Sequence, residues 1–332
     1  MVSNRLFSQL KKFLPIIGIF LFIYTIYMLD LGKIVDAFLS INPLYLLISL
    51  PLTLPRLIIR NEAWLLIQRE QKIHIPFWTS LKIFLIGYFY GSITPAYIGQ
   101  LMRIPYMKEE TGEPYGKLFI NSFLETTLHT LSLYAMIFIG ALLVLGTFPQ
   151  LIWLIIIWFV ILTIIIGFFI DKKRGEKVFH FLIRYFIPSS LRPYFTRFVD
   201  TFYHDFPKLR GLALPVFVAM FTWIIIFSQE YIIVIALGLD IPYLYFLLLF
   251  PVANAAGFLP VTFAGLGTRE FTAVLIFSTL FGIPGEKIFV VSLLGFIITD
   301  IVTGLIGFFV ALFDARSKGV SMKKRMSLIQ QK

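Results

Sequence analysis

Charged side chains inside long apolar segments are the residues of this 332-residue chain that could do chemistry. In one such segment, Arg269 and Glu270 directly follow Gly265 and Gly267. An isolated charge at the centre of a bilayer costs about 2.5–3.5 kcal/mol by insertion scales, so such residues are rare and usually functional. A helix that begins after Gly267 would offer its N-terminal N–H groups and Arg269 to an anion such as a phosphate.

Arg269 and Glu270 are expected to have separate roles. Neighbouring residues on a helix point about 100° apart, which disfavours a pair between them. We therefore expect Arg269 to face a cavity and bind an anionic headgroup, while Glu270 anchors the segment to Arg103 or Arg56. The structural alternative is pairing, such as Glu230 with Arg269 or Glu125 with Arg103, and we expect pairing and function to coexist.

A second apolar segment has the same order of residues. In both, a proline is followed by a glycine, and an arginine lies eight or nine residues after the proline. The residues are Pro95, Gly99 and Arg103 in the first segment, and Pro260, Gly265 and Arg269 in the second. Glycine permits a sharp turn and close approach of a ligand, and proline frees a helix carbonyl. An Arg103 that only extends to the membrane interface is the alternative for the first segment.

Further polar residues lie on single faces of apolar helices. Glu125 and His129 are four residues apart and Asn121 lies one turn earlier, so the three form a polar stripe. Glu230 and Asn254 are candidates for the matching place in the second half of the chain. We interpret all five as candidate substrate-binding residues, with structural pairing as the alternative.

The composition indicates an integral membrane protein. Hydrophobic residues make up 58% of the chain and charged residues only 14%, against about a quarter in soluble domains. The chain has no cysteine, which excludes disulfides and thiol chemistry, and its four histidines are scattered. We expect no metal and no cofactor. The net charge is +11, and the basic residues that produce it flank the apolar runs. We therefore expect contacts with anionic lipids and no binding of nucleic acid.

The apolar runs predict an all-α bundle of about six full spans. These are 13–29, 44–59, 118–145, 151–170, 212–237 and 289–312, and the stretches 77–99 and 243–281 are broken by Gly and Pro. Segments 1–12, 60–76, 100–117, 171–210 and 313–332 hold 24 of the 29 Lys and Arg. The positive-inside rule places these segments and both termini in the cytoplasm.

This topology predicts two re-entrant hairpins. Because 60–76 and 100–117 are both cytoplasmic, the hairpin 77–107 enters and leaves on that side, while 243–281 enters from outside. The chain is then one transmembrane domain, with an inverted repeat of units 44–145 and 212–312 and a basic cytoplasmic linker, 171–210. Inverted repeats with broken helices are typical of transporters. Lys82 and Asp300 are interpreted as residues near an interface.

The two Pro–Gly–Arg hairpins, the Glu125 span and the Gly-Thr-Arg-Glu at 267–270 resemble the flippase-like membrane family. That family includes the transmembrane domain of lysylphosphatidylglycerol synthases, and the resemblance covers about residues 10–312. It implies movement of a lipid or lipid-linked precursor between leaflets of the cell membrane. The chain departs from the family pattern at Thr126 and His129. Since the sequence ends at Lys332 without an acyltransferase-like domain, aminoacyl transfer is not expected.

Three functions remain open at this point. The leading one is a flippase for a lipid with an anionic headgroup, which is not an enzyme. A secondary transporter of a small solute or ion would use the same architecture. A membrane-embedded enzyme acting on lipid phosphate would need an acid and a base, or a metal cluster, that meet only in space. The sequence does not determine the lipid, the energy source or the oligomeric state.

Overall fold

The computed structural model describes residues 19–146, 206–258 and 265–317, together with isolated positions between 149 and 196. Regular structure in these ranges is entirely helical. Most of the predicted span 151–170 and of the linker 171–210 lies outside the described residues, as do Pro260 and both termini. The all-α prediction is confirmed for the part that is described.

Twelve α-helices lie in the described ranges. They are α1 (Ile19–Met28), α2 (Leu31–Leu39), α3 (Pro43–Ser49), α4 (Thr53–Glu70), α5 (Phe77–Ser92), α6 (Arg103–Thr111), α7 (Tyr115–Val144), α8 (Leu209–Ala236), α9 (Tyr243–Gly257), α10 (Thr268–Phe281), α11 (Gly285–Phe296) and α12 (Val302–Ser317). A 3₁₀ turn at Leu50–Leu52 joins α3 to α4, and a π-helical turn at Ile297–Ile301 joins α11 to α12.

Within the described ranges, four continuous helical segments are long and apolar enough to cross a membrane. They are Pro43–Glu70, Tyr115–Leu143, Arg210–Ala236 and Gly285–Asp314. Each has at least 27 residues, whereas about 20 suffice to cross the hydrocarbon. These segments coincide with the predicted spans 44–59, 118–145, 212–237 and 289–312. The multi-pass membrane character of the chain follows from them.

Helix ends follow from local sequence. Asp30 precedes α2, and its carboxylate accepts the N–H of Gly32 at 2.9 Å. Asn42 precedes α3 and accepts the N–H of Leu44 at 3.0 Å. These bonds satisfy N–H groups that have no partner within the helix. Gly282 ends α10 in the left-handed conformation, with φ 63°.

Both segments predicted to be broken are broken at their Gly and Pro residues. The first consists of α5, a 3₁₀ helix over Pro95–Met102, and α6. The second consists of α9 and α10, and residues 259–264 between them lie outside the described part. The breaks agree with the sequence prediction, while the side from which each hairpin enters stays a prediction.

Packing divides the chain into two compact units, which we call the larger and the smaller unit. The larger unit contains the described residues up to Asn61, Phe77–Arg103, and those from Thr222 onward. Its core includes stacked rings of Phe246 and Phe250, with Phe277 against both. The smaller unit contains Glu62–Pro76 and the described part of Ile104–Phe221, and Ile67, Ile120 and Leu212 share its core.

Candidate functional site

The start of α10 positions the charges that the sequence singled out. Gly265 and Gly267 have φ of 80° and 91°, a region that side chains with a Cβ rarely occupy. Gly265 also lies so close to Gly257 that a Cβ would meet the Gly257 Cα at 3.0 Å. The Glu270 carboxylate accepts the N–H of Gly267 at 2.6 Å. The predicted helix start after Gly267 is therefore confirmed.

Arg269 and Glu270 form a buried ion pair, so the expectation that they point apart is wrong. Nε of Arg269 donates to Glu270 Oε1 at 3.1 Å, and Nη2 donates to the same oxygen. The two residues are 4% and 0% exposed. The reason is that Glu270 folds back over the helix N-terminus toward the Gly267 N–H, which brings its carboxylate within reach of the guanidinium.

The surroundings of this pair lie on α11. Ser292 Oγ accepts from Arg269 Nε at 3.1 Å and lies 3.3 Å from Glu270 Oε1. The Phe296 ring centroid lies 4.6 Å from the guanidinium carbon of Arg269. Within the described residues, the hydrogen bonds of Glu270 thus go to Gly267, Arg269 and Ser292. The predicted anchoring of Glu270 to Arg103 or Arg56 is not what the structure has.

A second group of charges surrounds the π-helical turn. Arg56 on α4 donates from Nη2 to the Thr299 carbonyl at 2.9 Å and to the Thr303 hydroxyl. Asp300 accepts the hydroxyl of Tyr88 at 2.7 Å and that of Tyr97 at 3.3 Å. A single π-helical turn inside an α-helix is frequent at functional sites. Asp300, interpreted from sequence as interfacial, belongs instead to this group.

Glu230 on α8 is a further buried carboxylate of the larger unit. It is 2% exposed, and a Cβ on Gly295 would lie 2.9 Å from its Cγ. Arg269, Asp300 and Arg56 are near enough to affect it electrostatically. Its Oε2 has no hydrogen-bond partner among the described residues. A Glu230–Arg269 ion pair, the structural alternative named from the sequence, is not what the structure has, because Arg269 pairs with Glu270.

We call Arg56, Glu230, Arg269, Glu270 and Asp300 the charged network. All five belong to the larger unit, and four of them are buried while Asp300 is half-buried. Asn254 on α9 is half-buried in the same unit. Lys82 lies apart from the network, in an ion pair with Asp314 at 3.2 Å.

The side chain of Thr94 links the two parts of the first hairpin by hydrogen bonds. Thr94 Oγ1 donates to the Tyr90 carbonyl at 2.9 Å and accepts the N–H of Gly99 at 2.8 Å. Pro95 begins the 3₁₀ helix, and Gly99 packs directly against the backbone of Tyr90. A larger residue than Gly99 would not fit there.

Arg103 is 1% exposed and therefore does not extend to an interface. Its Nη2 donates to Gln100 Oε1 at 2.7 Å, and its guanidinium carbon lies 4.9 Å from the Phe84 ring centroid. Its aliphatic part fills the space that the missing side chain of Gly87 leaves. The burial of Arg103 favours a functional role over the alternative of a side chain that reaches water at the membrane interface.

The polar stripe of α7 lies in the smaller unit and is buried. Asn121 accepts the Trp64 Nε1–H at 2.7 Å and donates to Gln71 Oε1 at 2.7 Å. We call Trp64, Gln71 and Asn121 the neutral network. Glu125 and His129, further along the same helix, are 3% and 7% exposed.

A pocket of about 400 Å³ opens beside the charged network in the larger unit. Its walls come from the end of α5, the 3₁₀ helix, the π-helical turn and α12, and are mostly aromatic and aliphatic. Asp300 and Tyr97 form its polar end. The described residues contain no group of three or more His, Cys, Asp or Glu that could hold a metal.

The geometry and the comparison with known families together define the class. Long apolar helices with two broken segments and a buried charged network define a multi-pass α-helical membrane protein. Residues 13–307 match the family described as the lysylphosphatidylglycerol synthase TM region, and the chain belongs to that family. The resemblance drawn from the sequence is thereby confirmed. No curated protein matches the chain.

Some residues of the site had no strong signal in the sequence. Arg56 is visible in the sequence as a charge in an apolar run. Its hydrogen-bond partners Thr299 and Thr303 lie 243 and 247 positions later in the chain, so only the fold reveals them. Tyr88 and Tyr97 are ordinary aromatic residues of a membrane protein, and only the fold brings them to Asp300. Asp300 itself is an isolated acid between 289 and 312, which was the one signal that could have identified it.

Proposed function

We propose that this protein moves a lipid, or a lipid-linked precursor with an anionic headgroup, between the leaflets of the cell membrane. The observation that carries the proposal is the charged network: Arg56, Glu230 and Asp300 lie on three of the long apolar segments, and the Arg269–Glu270 pair lies at the start of α10 in the second broken segment. Buried ion pairs contribute little net stability because both charges must be desolvated. A network that stability does not require, in a lipid-related family, supports a role in handling a polar group within the membrane.

Arg269 is the proposed headgroup ligand. Its Nε and Nη2 are used by Glu270 and Ser292, and its Nη1 donates to no acceptor in the described part of the chain. A guanidinium has five N–H donors in a planar fork, so a pair with one carboxylate leaves donors for a phosphate. The Glu270 carboxylate already occupies the N-terminus of α10, so the remaining guanidinium donors of Arg269 are what the proposal assigns to the anion.

The proposed mechanism uses the units 44–145 and 212–312, each with one hairpin, as the halves of an inverted repeat. In chain order, a long helix, a broken pair and a second long segment occur in 43–144 and again in 209–317. Alternating access by rocking of two such repeats would expose one polar site to each leaflet in turn. Glu125, His129, Glu230 and Asn254 stay predicted substrate-binding residues, with Pro95, Gly99, Arg103 and the glycines of the second hairpin. For Asn121, the hydrogen bonds to Trp64 and Gln71 favour the structural alternative.

The orientation can be tested separately, because the chain has no cysteine of its own. Glu110 lies in a segment predicted to be cytoplasmic, and Asp240 lies in one predicted to be external; both are exposed. In intact cells, an impermeant thiol reagent should label Asp240→Cys and not Glu110→Cys. Labelling of Glu110→Cys alone would show that the topology is the reverse of the predicted one. Labelling of both variants would show that the two positions are not on opposite sides of the membrane.

Reconstitution of the purified protein into liposomes tests the function. Fluorescent phospholipids in the inner leaflet should become accessible to an impermeant quencher faster than in protein-free liposomes, and the lipid should remain chemically unchanged. Uptake of small solutes without lipid movement would indicate the secondary transporter instead. A chemically altered lipid would indicate an enzyme, which we do not expect for this chain.

A further inference from the structure

The pocket beside the charged network has one aromatic wall. Phe89 on α5 and Phe308 on α12 lie on this wall with their ring centroids 5.3 Å apart, and Leu305 lies next to them. A Cβ on Gly304 would lie 2.9 Å from Ser92 Oγ, so α5 and α12 are in close contact at the pocket. An apolar wall between a long apolar segment and the first broken segment of a membrane protein fits a hydrocarbon chain better than a soluble ligand.

The other end of the pocket is an acceptor of hydrogen bonds. Oδ1 of Asp300 accepts from the Tyr88 and Tyr97 hydroxyls, and Oδ2 accepts from the Thr299 hydroxyl at 2.9 Å. A carboxylate offers about four lone-pair positions. Three neutral donors therefore leave it able to accept at least one more, and it lines the pocket. A ligand group here must bring a hydrogen to donate.

Phe296 links this pocket to the ion pair of α10. It lines the pocket, while the same ring packs over the guanidinium of Arg269. One aromatic side chain thus contacts the cation and lines the pocket that contains Asp300. A headgroup with a phosphate and a donor group beyond it would match both charges.

We propose that this pocket selects the substrate by the hydrogen-bond donors of its headgroup, hydroxyl or amine hydrogens that bind Asp300, while one lipid chain lies along Phe89 and Phe308. The inference rests on the proposed function and names the substrate class: phospholipids whose headgroups carry O–H or N–H groups beyond the phosphate. Headgroups without such hydrogens leave the carboxylate with an unsatisfied position, which costs affinity.

Matched lipid pairs test the proposal without changing charge. Phosphatidylglycerol and phosphatidylmethanol are both anionic, but only the first has hydroxyls; phosphatidylethanolamine and phosphatidylcholine are both zwitterionic, but only the first has N–H groups. With equal chains, purified wild-type protein should bind the donor lipid of at least one pair about tenfold more tightly, a difference of about 1.4 kcal/mol. The pair that shows the difference distinguishes hydroxyl from amine recognition.

Two variants locate the effect. Asp300→Asn removes the charge but keeps the shape, and it should reduce the preference for the donor lipid several-fold. Leu305→Trp fills the apolar part of the pocket and should weaken the binding of all four lipids by the same factor. If Asp300→Asn does not fold, the wild-type pairs and Leu305→Trp still decide the question.

Equal binding within both pairs, or an unchanged preference in folded Asp300→Asn, would overturn the proposal. These outcomes are separable from a failure of the proposed function. Lipid movement without donor preference would remove only the role of Asp300. Selective binding without lipid movement in liposomes would leave the pocket as a lipid site and overturn transport.

Discussion

Each compact unit contains a network of buried polar side chains, and the two networks differ in charge; the smaller unit also buries Glu125 and His129, outside its neutral network. In the smaller unit, the neutral network connects Trp64, Asn121 and Gln71 by hydrogen bonds of 2.7 Å. In the larger unit, the charged network includes one tight ion pair and a carboxylate, Glu230, whose Oε2 has no partner in the described ranges. Neutral hydrogen bonds stabilise a buried site at little cost, whereas buried charges are costly even when they are paired, so stability alone gives little reason to keep a charged network.

This difference separates structural polarity from functional polarity. Asn121, a candidate from sequence, uses its side chain to join residues 50 and 57 positions earlier in the chain. Arg269 and Arg56, by contrast, hold charge beside a helix start and a π-helical turn. We therefore expect substitutions in the charged network to affect transport, and those in the neutral network to affect mainly stability.

The largest effect on stability is expected from Glu270→Gln. It leaves the Arg269 charge buried without its carboxylate, which should lower the free energy of unfolding by about 3–5 kcal/mol. The double variant Arg269→Met with Glu270→Gln removes both charges and should recover most of this loss. Thermal unfolding of purified protein checks both. A double variant as unstable as the single one would mean that the pair is not what Glu270 stabilises.

A smaller effect is expected in the neutral network. Trp64→Phe removes the Nε1–H donor to Asn121 while keeping an aromatic ring in a fully buried site. The free energy of unfolding should fall by about 1–2 kcal/mol, because one hydrogen bond and part of a buried ring are removed. Transport per folded molecule should stay at the wild-type level. A well-folded Trp64→Phe protein that no longer moves lipid would break the distinction between the two networks.

The smallest effect is expected at Glu230. Its carboxylate makes no ion pair within the described residues, so the neutral isostere Glu230→Gln gives up no such contact and avoids desolvation of a charge. The melting temperature should be unchanged or slightly higher, in contrast to Glu270→Gln. Comparable destabilisation by the two substitutions would show that both carboxylates are paired in the membrane.

Apolar runs and helix breakers were sufficient to predict the helices, because membrane spans depend on local hydropathy. The helix start at Thr268 was also predictable, since glycines with positive φ precede it. The Arg269–Glu270 pair was not predictable, because it depends on Glu270 folding back to the Gly267 N–H. The role of Asp300 was not predictable beyond its being an acid in an apolar run, because its partners Tyr88 and Tyr97 lie 212 and 203 positions away.

The central claim is that the charged network carries lipid movement, and the rate of lipid movement in liposomes with Arg269→Lys tests it most directly. Lysine keeps the charge and loses the planar fork. Arg69→Lys, in an exposed ion pair with Glu62, is the matched control. We predict that Arg269→Lys lowers the rate for an anionic phospholipid at least tenfold, about 1.4 kcal/mol, while Arg69→Lys does not. A wild-type rate in well-folded Arg269→Lys and Arg269→Ala proteins would contradict the account.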